Sequence, residues 1–286
     1  MTLQLRGTGY FGKVPVAGDF QRLLTPAGPD ARTLDWFHDG WARYALAGKR
    51  PELVGTTGFC WQRPGSDVAL LGVMTASRDR TGRRFPLLVF GAVAGVDSTA
   101  ELIASAHEFL AGAEAVAESG RAGVDLVALR GHVDSLRTRL DTEGNNRQVA
   151  WNDSTTAAEW AGGTDALVLR LRALDYAFSS GGRPNFVLRG RWQGDLRHFT
   201  AGLGLLQRLG QQAPAMLFWS QDEGAVSWRV AFEHAVPSQF ESLLWHAVDS
   251  PTVFDTEPGA VPVPTEFVGR DHPGGDTRLA SLVRAS

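Results

Sequence analysis

Cysteine occurs once in this chain, at Cys60, which excludes an internal disulfide and any multi-cysteine zinc or iron–sulfur site. A lone thiol of this kind is expected as a small buried apolar side chain. Lysine is nearly missing as well: only Lys13 and Lys49 occur, and the other basic residues are arginine. The net charge of −3 gives no clustered basic excess, so nucleic acid is not an expected partner. Long apolar runs are absent too. The longest stretches, VALLGVM and FPLLVFGAV, are too short to span a bilayer. MTLQLRGTGYFG has no basic region followed by an apolar run, so it does not read as a secretory signal. The chain reads as cytoplasmic, without direct membrane insertion.

What is present belongs to a folded protein. Of the 286 residues, 43% are hydrophobic and 21% charged, too apolar for disorder. Residues 8–16 read as a short strand stopped near Pro15. In PDARTLDWFHDGWARYAL, Leu34, Phe37, Trp41 and Tyr44 recur with a helical period, with Trp36 to one side of the stripe. Residues 67–76 and 85–94 are strongly apolar strands joined by the turn SRDRTGRR. Helices are expected at about 98–118 and 124–140. After a polar stretch, the second half reads as a helix at 165–177, a strand at 185–190 and a helix at 196–210. A hairpin of 215–220 with 225–232 and a helix at about 237–248 complete it. Interleaved strands and helices predict an α/β protein, and the two tight turns predict a mixed or antiparallel sheet. Four regions follow: an α/β region over 1–140, a surface excursion or linker over 141–164, a second α/β region over 165–249 packed with the first, and a Pro/Gly-rich tail over 250–286 that is poorly ordered or draped over the surface.

Familiar chemistry is mostly absent. GTGYFGK (7–13) satisfies G-x-x-x-x-G-K, but Val14 replaces the magnesium-binding hydroxyl and Pro15 opposes the helix that would cradle a phosphate. No G-x-S-x-G elbow occurs, and the seven histidines show no metal spacing. DHPGGD (271–276) lies in the tail, where a metal would lack fixed ligands. No catalytic group, metal or cofactor is therefore expected. SRDRTGRRF (77–85) stands out, because its four arginines could hold a phosphate or an acidic partner, or simply form a solvated turn around Asp79.

Two blocks carry a resemblance. GYFGKVPVAGDF (9–20) resembles G-[FYW]-[FY]-G-K-x-P-x-x-G-D-F, and DRTGRRFPL (79–87) resembles D-R-x-G-R-x-[FY]-P-L, in that order. The chain resembles the TagF family, accessory proteins of the bacterial type VI secretion system, over roughly residues 7–245. A late block, S-x-W-W-[ST], is matched by Trp219 and Ser220, with Met216 and Phe218 as departures. The resemblance implies a three-layer α-β-α sandwich and a non-enzymatic, post-translational repressor of type VI secretion. Such a protein acts by binding secretion components, a forkhead-associated scaffold above all. Its motif residues here are Lys13, Asp19, Phe20, Asp79, Arg80, Arg83, Trp219 and Ser220. Asp19 is expected to pair with an arginine of the 78–84 turn, so that the two blocks meet and either bind a partner or brace the fold. The alternative is a small phosphorylated-ligand-binding protein or enzyme that uses Lys13, Asp19 and Arg80.

Overall fold

The computed structural model describes residues 3–24, 31–46, 53, 55–63, 65–138, 140, 187–193, 200, 203, 215–222, 225–232, 240–244 and 253–255. The expected excursion at 141–164, the helix at 165–177 and most of those at 196–210 and 237–248 lie outside these residues, as does most of the tail.

Among the described residues nine strands form one sheet: β1 (Gln4–Gly12), β2 (Gln21–Leu23), β3 (Thr56–Gln62), β4 (Val68–Thr75), β5 (Leu87–Ala94), β6 (Val187–Gln193), β7 (Met216–Asp222), β8 (Ala225–Ala231) and β9 (Val253–Asp255). Their spatial order is β2-β1-β5-β4-β3-β7-β8-β6-β9. Every pairing is antiparallel except β6 with β9, so the protein is mixed α/β with a predominantly antiparallel sheet. The helices among the described residues are α1 (Ala31–Leu46), α2 (Thr99–Ser105), α3 (His107–Arg121), α4 (Leu126–Ser135) and the short α5 (Phe240–Leu244).

The central strands are buried on both faces, so alternate side chains enter two different cores. On β5, Leu87, Val89 and Val93 join an aliphatic core that also holds Leu102 and Ile103 of α2, Phe109 of α3 and Leu129 of α4. Leu88, Phe90 and Ala92 join the other core, with Phe37 and Trp41 of α1 and Phe240 of α5. The stripe predicted for α1 is the face it buries, and Trp36 is buried with it, edge-on to Trp61 and Phe240. The single long helix expected near 98–118 is two: Ala106 leaves helical geometry at ψ 16° and ends α2. Ser98 starts α2 by accepting from the Glu101 amide, and Asp125 starts α4 by accepting from Val127 and Ala128. No described helix is long and apolar enough to cross a membrane.

Three further differences from the sequence reading matter. β1 ends at Gly12, before Lys13, so Lys13 belongs to the loop that follows the strand. β3, absent from the sequence reading, pairs with both β4 and β7 and joins the two halves into one sheet. The tail is not wholly outside the fold: residues 253–255 form β9 and lie parallel to β6, as the β-branched and aromatic pair Val253–Phe254 favours.

Candidate functional site

The registers place the C-terminal ends of β1, β4 and β7 and the N-terminal ends of β5 and β3 at one end of the sheet. Both N-terminal motif blocks emerge there. β4 and β5 are joined by a tight turn in which Gly82 donates to the Asp79 carbonyl and Asp79 donates back to Arg83, at 2.9 and 3.0 Å. Gly82 has φ +85°, the left-handed value that a type I turn closed by a glycine bulge requires. The spacing D-R-T-G-R is therefore a turn code: an aspartate to open it and a glycine three residues later to close it. Gly12 is required on the other block for a different reason, because it ends β1 where a Cβ would stand 2.0 Å from the Pro86 carbonyl oxygen.

Asp79 is the centre of the site. Its carboxylate is inaccessible to solvent and accepts five hydrogen bonds. Oδ1 takes the Thr81 amide at 2.9 Å, the Thr81 hydroxyl at 2.7 Å and the Arg83 amide at 2.9 Å. Oδ2 takes Lys13 Nζ at 3.0 Å and Arg83 Nε at 2.7 Å. Burial by itself would push this carboxyl up, but the donors from Thr81, Lys13 and Arg83 outweigh it and hold it well below the usual carboxylate range. Lys13 is only 5% exposed, and its ammonium also lies 5.1 Å from the centroid of the Phe20 ring. Phe20 packs in turn on Phe11 and Phe85, with centroids 5.8 and 4.6 Å away, and so ties the site to the aromatic core.

The two blocks are also stitched through their backbones. Arg80 donates its amide to the Ala17 carbonyl at 2.7 Å, and the Arg83 guanidinium donates to the Gly18 carbonyl. Asp19 does pair with an arginine of the turn, as expected, but the contact is long and solvent-exposed. Asp19 is 81% exposed and reaches Arg83 only at 3.9 Å, while its Oδ1 caps the Phe20 amide. The close ion pair between the blocks is Lys13 with Asp79, because Lys13 is buried beside the turn while Asp19 projects into water. Arg80 and Arg83 are exposed. Trp219 and Ser220 lie on β7, two strands from β4. Trp219 is buried against Gly58 in the aliphatic core, and Ser220 pairs with Thr57 and Ser227 in the sheet. Sequence reasoning missed Thr81 and Gly82, although the Asp-x-x-Gly spacing was a readable turn signal. Among the described residues no group of three or more His, Cys, Asp or Glu could hold a metal ion.

Comparison with known proteins gives a match on this part of the chain. No curated protein matches. Among solved structures, the chain is similar to the crystal structure of PA0076 from Pseudomonas aeruginosa PAO1, with 21% identity and a TM-score of 0.34. That match covers 46% of this chain and 62% of the other, less than two thirds of its length. Residues 9–136 match the family model of the TagF N-terminal domain, described as type VI secretion system-associated. The Lys13–Asp79 pair and both blocks that build it fall inside that span, so the part of the chain that carries the site is the part that matches the TagF N-terminal domain.

Proposed function

We propose that the protein is a cytoplasmic, non-enzymatic repressor of type VI secretion that works by binding another protein, a forkhead-associated scaffold. The observation that carries this reading is the TagF N-terminal domain over residues 9–136. The geometry supports a division of labour within the motifs. Lys13, Asp79 and Trp219 are buried and brace the fold, whereas Arg80, Arg83 and Asp19 stand outward on a preformed platform. Pre-organised exposed arginines suit a partner with acidic groups, since less freedom is lost per hydrogen bond formed. In the same reading the chain is a three-layer α-β-α sandwich, which the two cores on opposite sheet faces support. Residues 141–164 link the 1–140 region to the 165–249 region, and residues 256–286 continue the Pro/Gly-rich tail after β9. No observation favours the phosphorylated-ligand reading built on Lys13, Asp19 and Arg80, because Lys13 is already committed to Asp79.

The test is a binding titration with a purified forkhead-associated scaffold, beside a secretion assay in cells that overproduce the protein. Wild type should bind and reduce secretion, and the Arg80→Ala variant should weaken both while keeping its melting temperature within a few degrees. Binding that survives this variant moves the contact surface elsewhere. Unchanged secretion on overproduction of the wild type rejects the repressor role.

A further inference from the structure

A cleft of about 550 Å³ opens beside the β4–β5 turn, between α1 and the end of α3. That volume is in the range of small-molecule sites. Trp41, Leu53, Phe85 and Pro86 give it an apolar wall. Four charged side chains also line it, and they are not equally available. Arg121 donates to Glu118 from both Nε, at 3.0 Å, and Nη2, so this base and this acid answer each other. Glu118 accepts from the Thr75 hydroxyl as well, at 3.4 Å. Arg84 is engaged in contacts of its own. Arg78 differs from both: it is exposed and makes no side-chain hydrogen bond or ion pair among the described residues. The acid next to it in sequence, Asp79, is turned to Lys13 and Arg83. Arg78 is therefore the unspent charge of the cleft. Beside it, Ser77 Oγ is buried with no hydrogen-bond partner among the described residues. A polar atom left unpaired at the wall of a cleft is one that a ligand can satisfy.

We propose that this cleft binds a small carboxylic acid with an apolar body. One free guanidinium matches one carboxylate, whose two oxygens fit its forked N–H donors. With Arg121 and Arg84 already engaged, nothing balances the second charge of a phosphate. The Ser77 hydroxyl, turned into the cleft, would donate to the same carboxylate. The apolar body would cover the wall of Trp41, Leu53 and Pro86. The site uses none of the residues of the Lys13–Asp79 pair and does not rest on the type VI secretion reading.

Isothermal titration of the full chain with phenylacetate, phenylethanol and acetate tests it. Phenylacetate should bind saturably. Phenylethanol, which lacks the charge, and acetate, which lacks the body, should each bind about tenfold more weakly or worse. Arg78→Gln should weaken phenylacetate by about tenfold or more at an unchanged melting temperature. Ser77→Ala should weaken it by a smaller factor. Glu118→Gln should do the reverse and tighten it, because Arg121 then loses its counter-charge and is released to the ligand. Arg137→Gln, ion-paired to Asp134 and outside the cleft lining, should leave binding unchanged. The proposal is overturned if phenylacetate fails to saturate by about 10 mM, if phenylethanol or acetate matches it, or if Arg78→Gln binds as wild type does.

Discussion

The two halves of the sheet each bury a charge, and they treat it in opposite ways. In the first half Asp79 accepts five hydrogen bonds, and its carboxyl is held well below the ordinary range. In the second half Arg229 lies buried on β8, where its guanidinium donates to the Leu243 and Leu244 carbonyls at 3.0 and 2.6 Å. Those carbonyls end α5, so Arg229 caps that helix. Its Nε has no hydrogen-bond partner among the described residues, and Arg189 stands opposite it across the ladder. Burial, and secondarily Arg189, push its pKa down to about 10. A lowered pKa thus means contrary things at the two sites. For an acid it marks a charge that the fold welcomes, and for a base it marks a charge that the fold only tolerates.

Removing each charge should expose this contrast. Asp79→Ala leaves Lys13 buried without its partner and opens the turn, and a melting-temperature loss on the order of 10 °C is expected by thermal unfolding. Lys13→Met combined with Asp79→Leu should recover part of that loss, because the unpaired ammonium is gone. Acid sharpens the point. The native carboxyl ionises below the unfolded one, so its contribution is complete above about pH 4 and is lost as the pH falls through the native value. The stability gap between wild type and Asp79→Asn should therefore narrow from pH 6 to pH 3. Arg229→Met should cost less, about 1–2 kcal/mol by urea unfolding, since freeing two carbonyls is offset by removing a desolvated charge. Gly82→Ala places a Cβ in left-handed geometry and should cost on the order of 1 kcal/mol. The smallest effect is a silence. The Cys60 thiol is buried and pushed up to about 12, so thiol reagents at pH 8 should label it only after unfolding.

Much of the fold was legible from pattern. α1 shows its stripe because one face is wet, and β4 and β5, though buried on both faces, are unbroken apolar runs that flank an obvious polar turn. β3 had neither signal. TTGFCWQ is buried on both faces between β4 and β7, so it shows no alternation, and its threonines, glycine and glutamine break any apolar run. The same limit applies to the site. Both blocks could be read as motifs, and their meeting could be guessed from charge. Which acid answers which base depended on where β1 ends. A strand that stops at Gly12 turns Lys13 inward, and Asp79 is then the carboxylate within reach.

β3 also governs how the chain must be assembled. Its second neighbour, β7, is made long after it, with the whole span from β4 to β6 synthesised in between. As the polypeptide leaves the ribosome, its first half can pair β3 with β4 but leaves the other side of β3 open, with Phe59 and Trp61 short of their β7 neighbours. Open strand edges of that kind invite pairing with other chains. Contacts so distant in sequence close slowly, so the β3 edge is the part of the first half that stays open longest as the sheet forms.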